Sequence, residues 1–228
     1  MTYLGQCINK FEFKKIPYCV TYHPSPEHEN LLLVGNQDKK IYQYDTRQQK
    51  VVQEYEQHAG AINSITFVDD NRRFVSTSDD KSLRAWEFDV PVVVKYIRDP
   101  TLASMPAVAL SHNRKWLACT SLDNTIQIFS AVDKFKHNTK RTLQGHLVAG
   151  YACQPGWSPD NRYVLYLKTR FVMSGDSTGL MWFWDYKTSK MMRKFKAHDG
   201  VVMSCLWNPH ESSKVATCSW DGTIKYWD

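Results

Sequence analysis

His58, Ser76 and Asp80 carry the side chains of a proton relay: an imidazole, a hydroxyl and a carboxylate. Brought together around a substrate, such a set activates the hydroxyl as a nucleophile. The same types return as His198, Thr217 and Asp221, and in each set a tryptophan stands ten residues after the hydroxyl, at Trp86 and Trp227. An active site needs one relay. A relay that recurs along the chain belongs to a recurring structural unit, so these eight residues are expected to pin strands together. No catalytic residue is expected in this chain.

Other reactive side chains fit that reading. His23 and His28 bracket Pro24 and Pro26. The prolines forbid the helix that would align two imidazoles on one face, so a solvated loop is expected there, with no metal. The acid pairs Asp69-Asp70 and Asp79-Asp80 suit chain reversals better than acid catalysis. Gly35, Gly60 and Gly222 stand singly, as turn residues do, and no glycine-rich phosphate loop occurs. Six cysteines are scattered without a Cys-x-x-Cys pair, mostly in apolar runs. They are expected to be free thiols of a reducing compartment. No cofactor and no small-molecule substrate is expected.

The elements that would position these residues show in a second pattern. Tyr44-Asp45, Trp86-Glu87, Phe129-Ser130, Trp184-Asp185 and Trp227-Asp228 each close a short β-forming run, and the aromatics stand 42, 43, 55 and 43 residues apart. A period of about 40–45 residues ending in an aromatic–acid pair marks a WD-repeat propeller blade. Each unit reads as four short strands punctuated by Pro, Asn, Asp and Gly. Units fall at about 5–45, 50–87, 92–130, 140–185 and 190–228, within one domain spanning 1–228. The fold class is therefore all-β, a WD-repeat β-propeller with five repeats, an incomplete form of the seven-bladed ring. In such rings a strand from the start of the chain completes the last blade, and Gly5–Phe11 is assigned that place. An open ring bares sheet faces and edges, so poor solubility of the isolated chain is expected. The long fourth unit is expected to carry an insertion near 165–172, which reads as an unspliced stretch of the gene.

Composition bounds the class. The chain has 228 residues, 43% of them hydrophobic and 13% aromatic, and a net charge of +6. That suits a globular β protein and excludes a disordered tail. No apolar run reaches the roughly 18 residues of a membrane span, so no membrane association is expected. The start has no secretory pattern and no Asn-x-Ser/Thr sequon occurs, in keeping with cytosol or nucleus. The charge permits an anionic partner without demanding one. RNA or partner contact is expected at Lys134, Lys136, Lys140 and Arg141, where cations cluster in a connection.

In WD-repeat proteins the turn Asp bonds the His, the His bonds the Ser or Thr, and that hydroxyl bonds the Trp indole. His58, Ser76, Asp80 and Trp86 match that set, as do His198, Thr217, Asp221 and Trp227. The first and third units keep only the turn acids Asp38 and Asp123, and the fourth keeps Gly145-His146 but has Thr178 at the turn position. More specific stretches run from Val68 to Glu87, from Ser104 to Val108, from Gly145 to Gln154 and from Phe195 to Asp199. They closely resemble the pre-mRNA processing factor 17 family of spliceosomal WD-repeat proteins. That resemblance implies a non-enzymatic nuclear scaffold that docks on splicing proteins near the RNA core, around the second catalytic step, exon ligation. The family pattern departs at Gln154-Pro155-Gly156-Trp157 and in the long fourth unit. A second reading is a substrate receptor or adaptor of a ubiquitin ligase.

Overall fold

The computed structural model describes residues 7, 9–132, 134–159, 170–211 and 213–228. These residues form five antiparallel sheets. The first holds β1 (Pro17–Tyr22), β2 (Leu31–Asn36), β3 (Ile41–Asp45) and β4 (Lys50–Tyr55). The second holds β5 (Ile62–Val68), β6 (Arg73–Ser78), β7 (Ser82–Glu87) and β8 (Val93–Arg98). The third holds β9 (Ala107–Leu110), β10 (Trp116–Ser121), β11 (Thr125–Ser130) and β12 (Leu143–Gln144). The fourth holds β13 (Gly156–Trp157), β14 (Phe171–Gly175), β15 (Leu180–Asp185) and β16 (Lys190–Lys196). The fifth holds β17 (Val202–Trp207), β18 (Val215–Ser219) and β19 (Ile224–Trp227). Strands run in sequence order within each sheet. The architecture is a WD-repeat β-propeller with five blades.

The sheets and the sequence repeats are offset by one strand. The strand that follows each aromatic–acid ending pairs backward with the run just closed, so β4 pairs β3, β8 pairs β7 and β16 pairs β15. A register shift falls at the same step in all three, at Gln43/Tyr44, Ala85/Trp86 and Phe183/Trp184. The extra residue twists the outer strand where it crosses the aromatic side chain.

The core lies between blades. Tyr55, Phe67, Phe74 and Trp86 join the first two sheets. Leu83, Leu117, Phe129 and Phe135 join the second and third. Trp157, Trp182, Trp184 and Tyr186 join the third and fourth, and Met173, Met181, Val202 and Cys205 join the fourth and fifth. A blade buried on both faces needs apolar or small residues at consecutive positions, and β2, β6 and β10 are buried from their second residue onward. Glycine permits the closest approach. A Cβ on Gly35 would meet Ile62 Cγ2 at 2.6 Å, and one on Gly175 would meet Val202 Cβ at 2.3 Å.

Several expectations are corrected. Gly35 lies inside β2, not in a turn. Residues 9–13 form no strand; Phe11 packs on Tyr44 and Phe13 on Tyr42 of the first sheet. Aromatic rings carry large apolar surface, which these contacts with the two tyrosines cover. Among the described residues the fifth sheet accordingly has three strands. The inner strand of the fourth blade is only Gly156–Trp157, with one parallel bridge from Gln154 to Ser204. Pro155 cannot donate to a ladder, which explains the short strand. His23 is buried, not solvated: its ring lies 4.7 Å from Phe67 and 4.4 Å from Phe88. Of the segment expected as an insertion, 165–169 lies outside the described residues. Phe171–Gly175 fills the second-strand place.

Candidate functional site: the polar pins and the basic outer face

The turn after β6 holds Asp80, whose carboxylate accepts the N–H of Ser82 and of Ala59. So anchored, it stands 2.9 Å from His58 Nδ1, while His58 Nε2 lies 2.7 Å from Ser76 Oγ. Trp86 Nε1 donates to that same oxygen at 2.8 Å. A carboxylate only accepts, so His58 Nδ1 carries the proton and Nε2 accepts the Ser76 hydroxyl. Every polar atom of the set has a partner, and Ser76 and Trp86 are wholly buried. Burial lowers the His58 pKa, although Asp80 opposes this. Burial also pushes the Asp80 carboxyl up, but bonds from His58, Ser82 and Ala59 outweigh it and hold the carboxyl well below its usual range. The hydroxyl has no opening through which a substrate could reach it.

The fifth sheet repeats this geometry. His198 Nδ1 is 2.9 Å from Asp221, His198 Nε2 is 2.7 Å from Thr217 Oγ1, and Trp227 Nε1 donates to that oxygen at 2.9 Å. Thr223 donates to Asp221 and, with His198 and two backbone N–H groups, holds its carboxyl low.

The other three sheets lack the set. Asp38 binds Tyr42 and Asp123 binds Thr125. In the fourth sheet the nearby Asp176 accepts the Trp182 indole at 2.7 Å, and Trp184 donates to the Gln144 carbonyl. His146 is buried against Trp184, and neither ring nitrogen has a hydrogen-bond partner. Burial pushes its pKa down to about 4.

A further polar device escaped the sequence reading. Asp79, the first acid of its pair, accepts from Asn63 at 2.8 Å and from Ser104 at 2.9 Å, and Thr77 donates to the Met105 carbonyl at 2.7 Å. The bonds to Ser104 and Met105 tie the second sheet to the lead-in of the third. No local motif announces them, because their partners lie 25 and 28 residues away from Asp79 and Thr77.

Lys134, Lys136 and Lys140 are exposed. Arg141 is half-buried, with its guanidinium 5.3 Å over the Trp116 ring and 5.4 Å over Tyr186. It caps an aromatic stack and is not freely presented. A second group of cations was joined to these only by the fold: β16 carries Lys190, Arg193, Lys194 and Lys196, all exposed, and it packs beside β12. Over the described part of 134–196 there are ten Lys and Arg against two acids, Asp176 and Asp185, both buried. The outer side of the third and fourth blades is thus a cationic face. Among the described residues no group of His, Cys, Asp and Glu could hold a metal ion. Burial raises the thiol pKa of Cys153 and Cys205 to about 12 and so leaves them unreactive.

Comparison with known proteins places this geometry. The WD domain, G-beta repeat family matches residues 49–87, 103–130 and 189–228. Pre-mRNA-processing factor 17 of Homo sapiens is 55% identical over 227 residues, covering 100% of this chain and 38% of that protein. Pre-mRNA-processing factor 17 of Saccharomyces cerevisiae is 31% identical over 98% of this chain and 48% of its own length. This chain therefore spans less than half the length of these relatives. A chain in a crystal structure of a mitotic checkpoint complex aligns with a TM-score of 0.68 at 19% identity, over 87% of this chain and 59% of that one. That likeness concerns the fold alone.

Proposed function

We infer that this chain, which belongs to the WD-repeat proteins and is related over its whole length to pre-mRNA-processing factor 17, serves pre-mRNA splicing as a non-enzymatic scaffold in the nucleus. The observation that carries this is the 55% identity over 227 residues to the human relative. The polar pins support the absence of chemistry, since every relay atom is spent on holding strands. The reading extends to the second catalytic step, exon ligation, where the propeller docks on other splicing proteins. The cationic face at Lys134, Lys136 and Lys140 supports RNA contact within that assembly, because phosphate binding by clustered cations releases counterions.

Depletion of the protein from a splicing extract tests the reading. Free first exon and lariat intermediate should accumulate, and adding the protein back should restore exon ligation. Loss of the first step instead would refute the second-step assignment. Co-purification of cullin subunits without small nuclear RNA would overturn the splicing reading in favour of a ubiquitin-ligase adaptor.

A further inference from the structure

β8 is the last strand of the second sheet and pairs with β7 alone among the described residues. The second blade lies between the first and the third, which cover its two faces, so only this outer edge is open. Along the edge and its lead-in Val90, Val92, Val94 and Tyr96 are between 41% and 56% exposed. An apolar edge strand is a template for a further strand, and contiguous apolar surface on a soluble protein marks a docking site. β4 and β16 share the bulge of β8, but each exposes only two large apolar side chains, Val51 and Val52 on one, Met191 and Met192 on the other.

Charge decides what kind of chain fits. From Val90 to Arg98 there are two cations, Lys95 and Arg98, both exposed, and no acid. The acids on either side are engaged: Asp89 accepts from Gln43, and Asp99 accepts the N–H and the hydroxyl of Thr101. The Arg84 guanidinium lies 4.3 Å from the centre of the Tyr96 ring, which holds the ring and adds a third cation. A second copy of this chain, paired edge to edge about a two-fold axis, would bring the same cations together, and like charges opposite each other oppose pairing. A nucleic acid would satisfy the cations and leave the valine row uncovered.

We infer that β8 receives an extended acidic segment of a partner protein as a fifth strand. The segment runs antiparallel, as every pair in this sheet does. Its β-branched side chains lie against Val92, Val94 and Tyr96, and its carboxylates stand opposite Lys95 and Arg98. Backbone pairing supplies affinity in such strand addition, and the side chains supply selectivity. This inference does not rest on the splicing reading.

The probe is a blocked heptapeptide, Glu-Thr-Val-Glu-Val-Thr-Val, in which antiparallel pairing sets acid against cation and valine against the apolar row. Its counterpart has lysine for both glutamates. Titration into the 228-residue protein is followed by NMR at the methyl signals of Val92 and the ring signals of Tyr96. The acidic peptide should bind saturably and about tenfold more tightly than the basic one. Lys95→Glu combined with Arg98→Glu, at two exposed positions, should leave the circular dichroism unchanged and reverse that preference. Val94→Ser should weaken the acidic peptide about fivefold. Equal binding of the two peptides, no binding up to about 10 mM, or an unchanged preference in the charge-reversed protein would each overturn the assignment. Dimerisation that Val94→Lys abolishes would overturn it in favour of a second copy, and displacement of the peptide by single-stranded RNA would overturn it in favour of nucleic acid. None of these outcomes touches the splicing assay.

Discussion

Asp80 and Asp123 occupy the same turn position in neighbouring blades, yet only Asp80 has a histidine to hold. Asp80→Asn removes the charge from a buried, fully satisfied network and should cost about 1–3 kcal/mol. Asp123→Asn disturbs one exposed turn and should cost about 0.5 kcal/mol; urea titrations of both variants make the comparison, and equal costs would mean that the histidine relay contributes nothing. His146 is the counterpart case, buried without a partner. Its folded pKa of about 4 lies below the ordinary 6.5. The unfolded chain therefore binds the proton more readily. This contribution to stability is intact above pH 6.5 and is lost as pH falls toward 4. Between pH 7 and pH 5 it amounts to about 2 kcal/mol. Urea melts at the two pH values should show this difference shrink by about that amount in His146→Phe, which loses no hydrogen bond; an unchanged difference would show that other groups carry the pH response. At this scale the sequence revealed His58 and His198 through repetition. It could not reveal the orphaned His146, because Gly145-His146 reads like an intact half of the same set.

At the scale of strands, glycine decides how closely two blades approach. Gly175 on β14 faces Val202 on β17 with no space for a Cβ. Gly175→Ala should push the fourth and fifth blades apart and cost about 2–3 kcal/mol. Gly150 has a positive φ of 87° but nothing within 4 Å of a Cβ. Gly150→Ala should cost only the conformational penalty, about 1–2 kcal/mol. Thermal melting of both variants separates crowding from backbone preference. A larger loss at Gly150 would reverse the ranking. Strand positions were legible from short β-forming runs closed by turn residues such as Asp221-Gly222. The pairing of each outer strand with the preceding sheet follows from register, and neither the N-terminal segment nor the shortened β13 could be foreseen from local pattern.

Taken whole, the molecule has two bare ends and one charged side. On the first sheet Val20 is 63% exposed, with Ile16, Tyr18 and Tyr22 beside it, and on the fifth sheet Ile224 is 80% and Leu206 70% exposed. Apolar rows of this kind drive association. The isolated chain should elute from a sizing column as oligomer or aggregate, and Val20→Lys with Ile224→Lys should raise the monomer fraction severalfold. A monodisperse wild-type monomer that melts cooperatively would instead indicate a closed five-blade ring. The repeat length and the aromatic–acid endings were enough, in the sequence alone, to determine the blade architecture, because the pattern is local and recurs. The two polar pins were equally legible, since their four side chains keep a fixed spacing inside one unit. What sits between units was decided only by the tertiary structure: the Asp79 ties, the joining of β12 and β16 into one cationic face and the capture of Arg141 over Tyr186. Those features depend on which residues of different blades are brought face to face, and the spacing within a repeat carries no record of that.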